Sequence, residues 1–142
     1  MASPRELHGI DAAWLATDAA GQVAVFTTGG EGPVPESALS SVETAEELVR
    51  SLREVSGFDL FAKVNRPDDF IAFAKRGLFS YDWSDVHRTN QHAIDGYELQ
   101  AQPSSPLAVA SLPPSLHSMA LATTLSGVTF GQSILSAAEI GI

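Results

Sequence analysis

The chain contains no cysteine. That removes disulfides, thiolate zinc sites and cysteine nucleophiles together, and it suits a reducing cytosol. Basic residues are scarce, with eight Lys and Arg against seventeen Asp and Glu, a net charge of -9. Such a surface repels phosphate backbones and anionic lipid headgroups, so neither nucleic acid nor a membrane is an expected partner. A basic protein, by contrast, is drawn toward it, at a rate that falls as salt screens the field.

Long apolar runs are also missing. The start MASPRELHGI lacks the apolar core of a signal peptide, and the apolar C-terminal run is broken by Ser, Thr, Gly, Gln and Glu139. A cytoplasmic location is expected. Charge itself is absent from one long segment, since no Asp, Glu, Lys or Arg stands between Glu98 and Glu139. Charged side chains dominate solvated surfaces, so this segment is expected to be largely covered. The cover is either the rest of the domain, the commoner cause, or a second copy in a homo-oligomer built through residues 100–138.

What remains is a globular composition. At 142 residues, 44% hydrophobic and 18% charged, the chain has the size and apolar content of one self-sufficient domain. From Trp14 to Phe26 two short apolar runs, AAWLA and VAVF, flank TDAAGQ, whose Asp18 and Gly21 suit a tight reversal. A β-hairpin is expected. The following TTGGEGPVP ends strand pairing, because Gly29, Gly30 and Gly32 permit positive φ and Pro33 and Pro35 cannot donate to a ladder.

Leu39, Val42, Ala45, Val49, Leu52 and Val55 recur at helical steps, with Glu43, Glu46, Glu47, Arg50, Arg53 and Glu54 on the other face. One amphipathic helix is predicted here, its capping box either Ser40 with Glu43 or Thr44 with Glu47, and Gly57 its stop. The pairs Glu46 to Arg50 and Arg50 to Glu54 have i,i+4 spacing. RPDDFIAFAKRG predicts a second, short helix, with Asp68 and Asp69 in the first turn and Lys75 and Arg76 in the last. FDLFAKV, LFSYDW and DGYELQAQ read as strands. PSSPLAVASLPPS reads as a proline-rich loop with a short extended piece, Leu116 to Leu125 as a buried helix and GVTF as a strand. The fold class is therefore α+β: one domain over residues 1–142, mostly antiparallel, its N-terminal hairpin packed against two or three helices.

Trp14-Leu15-Ala16, Asp18, Gly21, Val23-Ala24, Phe26, Thr27-Thr28-Gly29-Gly30, Gly32-Pro33 and Pro35 together resemble the opening of a group of small uncharacterised bacterial proteins. The likeness covers about the first quarter of the chain. In size, acidity and α+β pattern such proteins are loosely similar to the immunity proteins that neutralise bacterial toxins by binding them. The resemblance implies a binding role and brings no site residues with it.

Three stretches invite a chemical reading. TTGGEGP looks like a phosphate cradle, but it holds Glu31, has no Lys or Arg and runs into prolines without N–H groups, so a turn explains it better. Between Tyr81 and Asp95, the residues Asp82, Asp85, His87 and His92 are of metal-ligating type. His87 and His92 are five apart, however, which puts them on one face of neither a helix nor a strand. A solvated turn-rich loop is the plainer account, and no metal or other cofactor is expected. The same stretch fits a protein contact, in which Tyr81 and Trp83 act as aromatic anchors and Asp82 and Asp85 pair with basic groups of a partner. Trp83 fits the core equally well. His117 lies near Ser115 and Ser118, but no G-x-S-x-G elbow accompanies them. The sequence favours an acidic, non-catalytic, cytoplasmic protein-binding domain with a basic partner such as a toxin. The alternatives are a small metal-dependent enzyme using residues 82–95 and a structural homo-oligomer subunit.

Overall fold

The structure, a computed structural model, describes residues 11–63, 67–83 and 94–141. Among them are seven strands, three α-helices and two 3-10 segments. In chain order these are β1 (Ala13–Asp18), β2 (Val23–Thr27), a 3-10 turn (Glu36–Ser41), α1 (Ala45–Arg50), β3 (Phe58–Leu60), α2 (Asp68–Lys75) and β4 (Phe79–Asp82). There follow β5 (Gly96–Pro103), a second 3-10 turn (Val109–Ser111), α3 (Pro114–Ala122), β6 (Thr124–Leu125) and β7 (Ile134–Ser136). All strands join one mixed sheet in the order β3-β5-β4-β2-β1-β6, with β7 also on β5. Four of its six pairings are antiparallel, while β1 with β6 and β2 with β4 are parallel. The α+β architecture expected from the sequence is present.

The sheet has a core on each face. Trp14, Ala16, Ala24, Phe26, Phe79, Tyr81, Tyr97 and Leu99 point to one side, where Val34, Leu39, Val128, Phe130, Leu135 and Ile140 cover them. Ala13, Leu15, Val23 and Val25 point to the other, against Ala45 and Val49 of α1, Phe73 of α2 and Leu116 and Ala120 of α3. A strand buried on both faces needs apolar residues at every position, which is why AAWLA and VAVF are unbroken runs instead of alternating ones. Trp14 and Phe26 are cross-strand partners whose rings stack at 4.1 Å, and Tyr81, the next partner along, stacks on Phe26 at 5.2 Å. Such cross-strand aromatic pairs fix the register of the central strands.

The hairpin turn forms as expected, with Gly21 at φ 79°. The single helix predicted over residues 39–55 does not form. Its residues divide into the 3-10 turn and α1, because Leu39 and Val42 pack on the aromatic face while Ala45, Leu48, Val49 and Leu52 pack on the helix face. The chain passes beside β1 from one side of the sheet to the other, and a straight helix cannot serve both. Thr44 is the residue before α1 but makes no side-chain cap bond, and the helix stops at Arg50, well before Gly57.

The charge-free segment is also less covered than expected. Leu116 and Ala120 are the buried residues of α3, while Ser115, Ser118, Leu121 and Ala122 face solvent. Small Ser, Ala, Thr, Gly and Pro side chains make up most of the exposed positions here, so lack of charge does not require burial. GVTF contributes Val128 and Phe130 to the core as an irregular strap, and the strand expected there lies later, at β7.

Candidate functional site

Residues 28–32 close the end of the sheet at which β2 and β4 finish and β1 and β5 begin. Gly29 and Gly30 adopt positive φ, 61° and 91°, and the turn folds back as Gly32 N–H bonds the Thr28 carbonyl at 2.8 Å. The amides an anion would need are already engaged: Gly29 N–H donates to the Asp11 carboxylate at 3.0 Å and Gly30 N–H to Thr28 Oγ1 at 3.2 Å. This is a tied turn. It lies on the core, where a Cβ on Gly32 would meet the Tyr97 hydroxyl at 2.6 Å and the Trp83 Cβ at 2.7 Å. Beneath it the Tyr97 hydroxyl donates to the Pro33 carbonyl at 2.9 Å and accepts from the Trp14 indole at 3.2 Å.

Of the residues read from the sequence as partner-binding, Tyr81 is fully buried and Trp83 is 8% exposed. Neither ring faces solvent as an anchor must. Tyr81 stacks on Phe26 and its hydroxyl donates to the Gln132 carbonyl at 2.7 Å while accepting from Gly131 N–H at 3.0 Å. Trp83 packs edge-on against Tyr97. β4 alternates in a two-sided sheet, so an aromatic residue on its inner face is claimed by the core. Burial, the largest cause, lifts the phenols of Tyr81 and Tyr97 well above their usual 10.0, and nearby carboxylates add to the effect.

Asp82 is half-buried at the end of β4 and accepts a short hydrogen bond from the Thr27 hydroxyl. Strand register sets it beside Glu98 of β5, in a row that reads Thr27, Asp82, Glu98, Ile134 across four strands. Asp11 and Glu31 lie exposed on the tied turn and the chain entering β1, and Asp95, at φ 51°, leads into β5. Asp82 and Asp11 both act electrostatically on the Tyr97 phenol, which places them around the same core residue. One end of the sheet thus carries Asp11, Glu31, Asp82, Asp95 and Glu98.

Asp85, His87 and His92 lie outside the described residues. Among the described residues no three His, Asp or Glu side chains converge as a metal-binding group. His117, on α3, is half-buried, and Ser115 and Ser118 on the same helix are exposed. Also among the described residues, no helix is long and apolar enough to cross a membrane.

A cleft that the sequence did not suggest opens next to Glu98. It has a volume of about 240 Å³ and is lined by Phe61, Glu98, Leu99, Gly131, Ser133 and Ile134. No protein-family signature, curated protein or solved structure matches the chain.

Proposed function

We propose that this protein is an acidic, non-catalytic binding domain whose contact surface is the carboxylate-bearing end of the sheet and whose partner is a basic protein. The type of protein this fits is an immunity protein acting on a toxin, in line with the resemblance of residues 14–35. The observation that carries the reading is the grouping of Asp11, Glu31, Asp82, Asp95 and Glu98 where four strands begin or end. On the helix layer Glu46 and Asp69 pair with Arg50, and Glu54 with Arg76. Grouped like charges steer a cationic partner and set its orientation, and they cost little while they stay hydrated. The tied turn, held on Trp14, Trp83 and Tyr97, gives these carboxylates a rigid base.

The test is capture of a partner from lysate of the native cell by the full chain. Glu31→Lys combined with Asp95→Asn, both at exposed positions, should abolish capture, while Glu47→Lys on α1 should leave it intact. Capture by the wild type should also weaken when salt is raised from about 50 to 300 mM, as expected for exposed charges beyond a Debye length. A partner retained equally by all three proteins would reject this surface.

A further inference from the structure

We propose that the outer edge of β3 pairs antiparallel with the same edge of a second copy of this chain, in the register that sets Asp59 opposite Lys63 of that copy. β3 is an end strand of the sheet, joined on one side only, to β5. It meets β5 at residues 101–103, the far end of that strand from Glu98. A second copy placed here leaves the acidic end of each copy open.

The hydrogen bonds to β5 define which groups face outward. The Gly57 carbonyl accepts from Ser104 N–H at 2.9 Å, and Phe61 N–H donates to the Gln100 carbonyl at 2.7 Å, so the odd-numbered residues bond inward. The N–H and C=O groups of Phe58 and Leu60 therefore point away from the sheet, a ladder that another strand extends. Leu60 and Phe61 are 41% and 48% exposed along it, apolar surface that an edge strand left to solvent does not need. Ala62 N–H shares the Gln100 carbonyl with Phe61 N–H, at 3.0 Å. It can pass to the Leu60 carbonyl of the second copy and leave Gln100 satisfied.

Charge names the occupant. Asp59 and Lys63 are both exposed, and among the described residues neither makes an ion pair. Four residues along an extended chain is about 13 Å, too far for the two to pair with each other. Alternate residues share one side of such a chain, so Asp59, Phe61 and Lys63 form a row with a carboxylate at one end and an ammonium at the other. That row is complementary to itself when reversed. A twofold axis through Phe61 sets each Asp59 opposite Lys63 of the other copy and the two Phe61 rings opposite each other, and both kinds of cross-strand pair are favourable. An axis through Asp59 would instead set two carboxylates face to face, and one through Leu60 would set Asp59 against Phe61. The charges thus select one register as well as the occupant.

The test is sedimentation equilibrium of the full chain from about 10 µM to 1 mM, a range suited to the weak dimer that so short an edge supports. The mass should rise toward that of two chains, and the Leu60 amide should exchange more slowly with solvent as concentration rises. Asp59→Lys and Lys63→Asp should each weaken the dimer about tenfold or more, because each sets like charges opposite one another. Asp59→Lys reduces the net charge of -9 by two units, so general repulsion alone would predict the opposite. The double variant Asp59→Lys with Lys63→Asp should restore the dimer, and an equimolar mixture of the two single variants should associate although neither does so alone. These rescues separate a lost contact from a lost fold. A single-chain mass throughout the range would overturn the proposal. So would a dimer that both single variants keep, which would lie elsewhere on the molecule, or one that forms without protecting the Leu60 amide.

Discussion

Asp18 shows how much one side chain does beyond its local role. Its Oδ1 accepts from Ala20 and Gln22 N–H at 3.0 and 2.8 Å, the usual work of an aspartate in a turn. Its Oδ2 accepts from Gln22 Nε2 at 2.8 Å and from the buried amide of Phe130 at 2.7 Å. A carboxylate that is 2% exposed is tolerated only because every lone-pair direction is met. Asp18→Ala should therefore cost more than a turn substitution, about 2–4 kcal/mol, because it leaves the Phe130 amide buried without an acceptor. Urea unfolding measures it. A loss under about 1 kcal/mol would show that the strap over the aromatic face does not depend on this bond.

Elements defined by short-range signals were legible, and those defined by wrapping were not. The hairpin, α2, β4 and β5 follow from turn residues, terminal charges and aromatic or alternating runs that belong to the element itself. The 39–55 stretch has an equally clear helical period, yet its apolar residues are divided between two cores that only the sheet defines. Of the proposed contact surface, Asp82 was legible in the sequence, whereas the place of Glu98 beside it required β4 and β5 to pair. What ends α1 was equally remote. Arg76, just after α2, donates to the Arg50, Leu52 and Ala72 carbonyls at 3.2, 3.0 and 2.8 Å, giving the unpaired end of α1 its partners from another helix. Arg76→Met keeps the aliphatic stem and removes all three bonds. It should lower stability by about 1–2 kcal/mol and speed amide exchange in residues 50–52, and unchanged exchange there would show that α1 ends independently of α2.

Across the whole molecule, the two tyrosines of the chain both lie in the aromatic core, where burial holds their phenols neutral well above the ordinary 10.0. Because the folded-state values are raised, this contribution is fully present below about pH 10 and is lost as pH rises beyond it. Stability should fall above pH 10 by up to about 2.7 kcal/mol per pH unit, two protons being released only on unfolding. Tyrosinate absorbance should appear together with loss of near-ultraviolet ellipticity; a tyrosinate signal in the folded protein would contradict the enclosed site. The bond from Phe130 to Asp18 spans 112 residues, and it has a consequence for biosynthesis. The hairpin emerges from the ribosome long before the strap that covers Trp14 and Phe26 and engages Asp18, more than a hundred residues further along the chain. Until the strap is made, an aromatic face and an unpaired carboxylate wait side by side, and the nascent chain over that interval is a natural client for a chaperone.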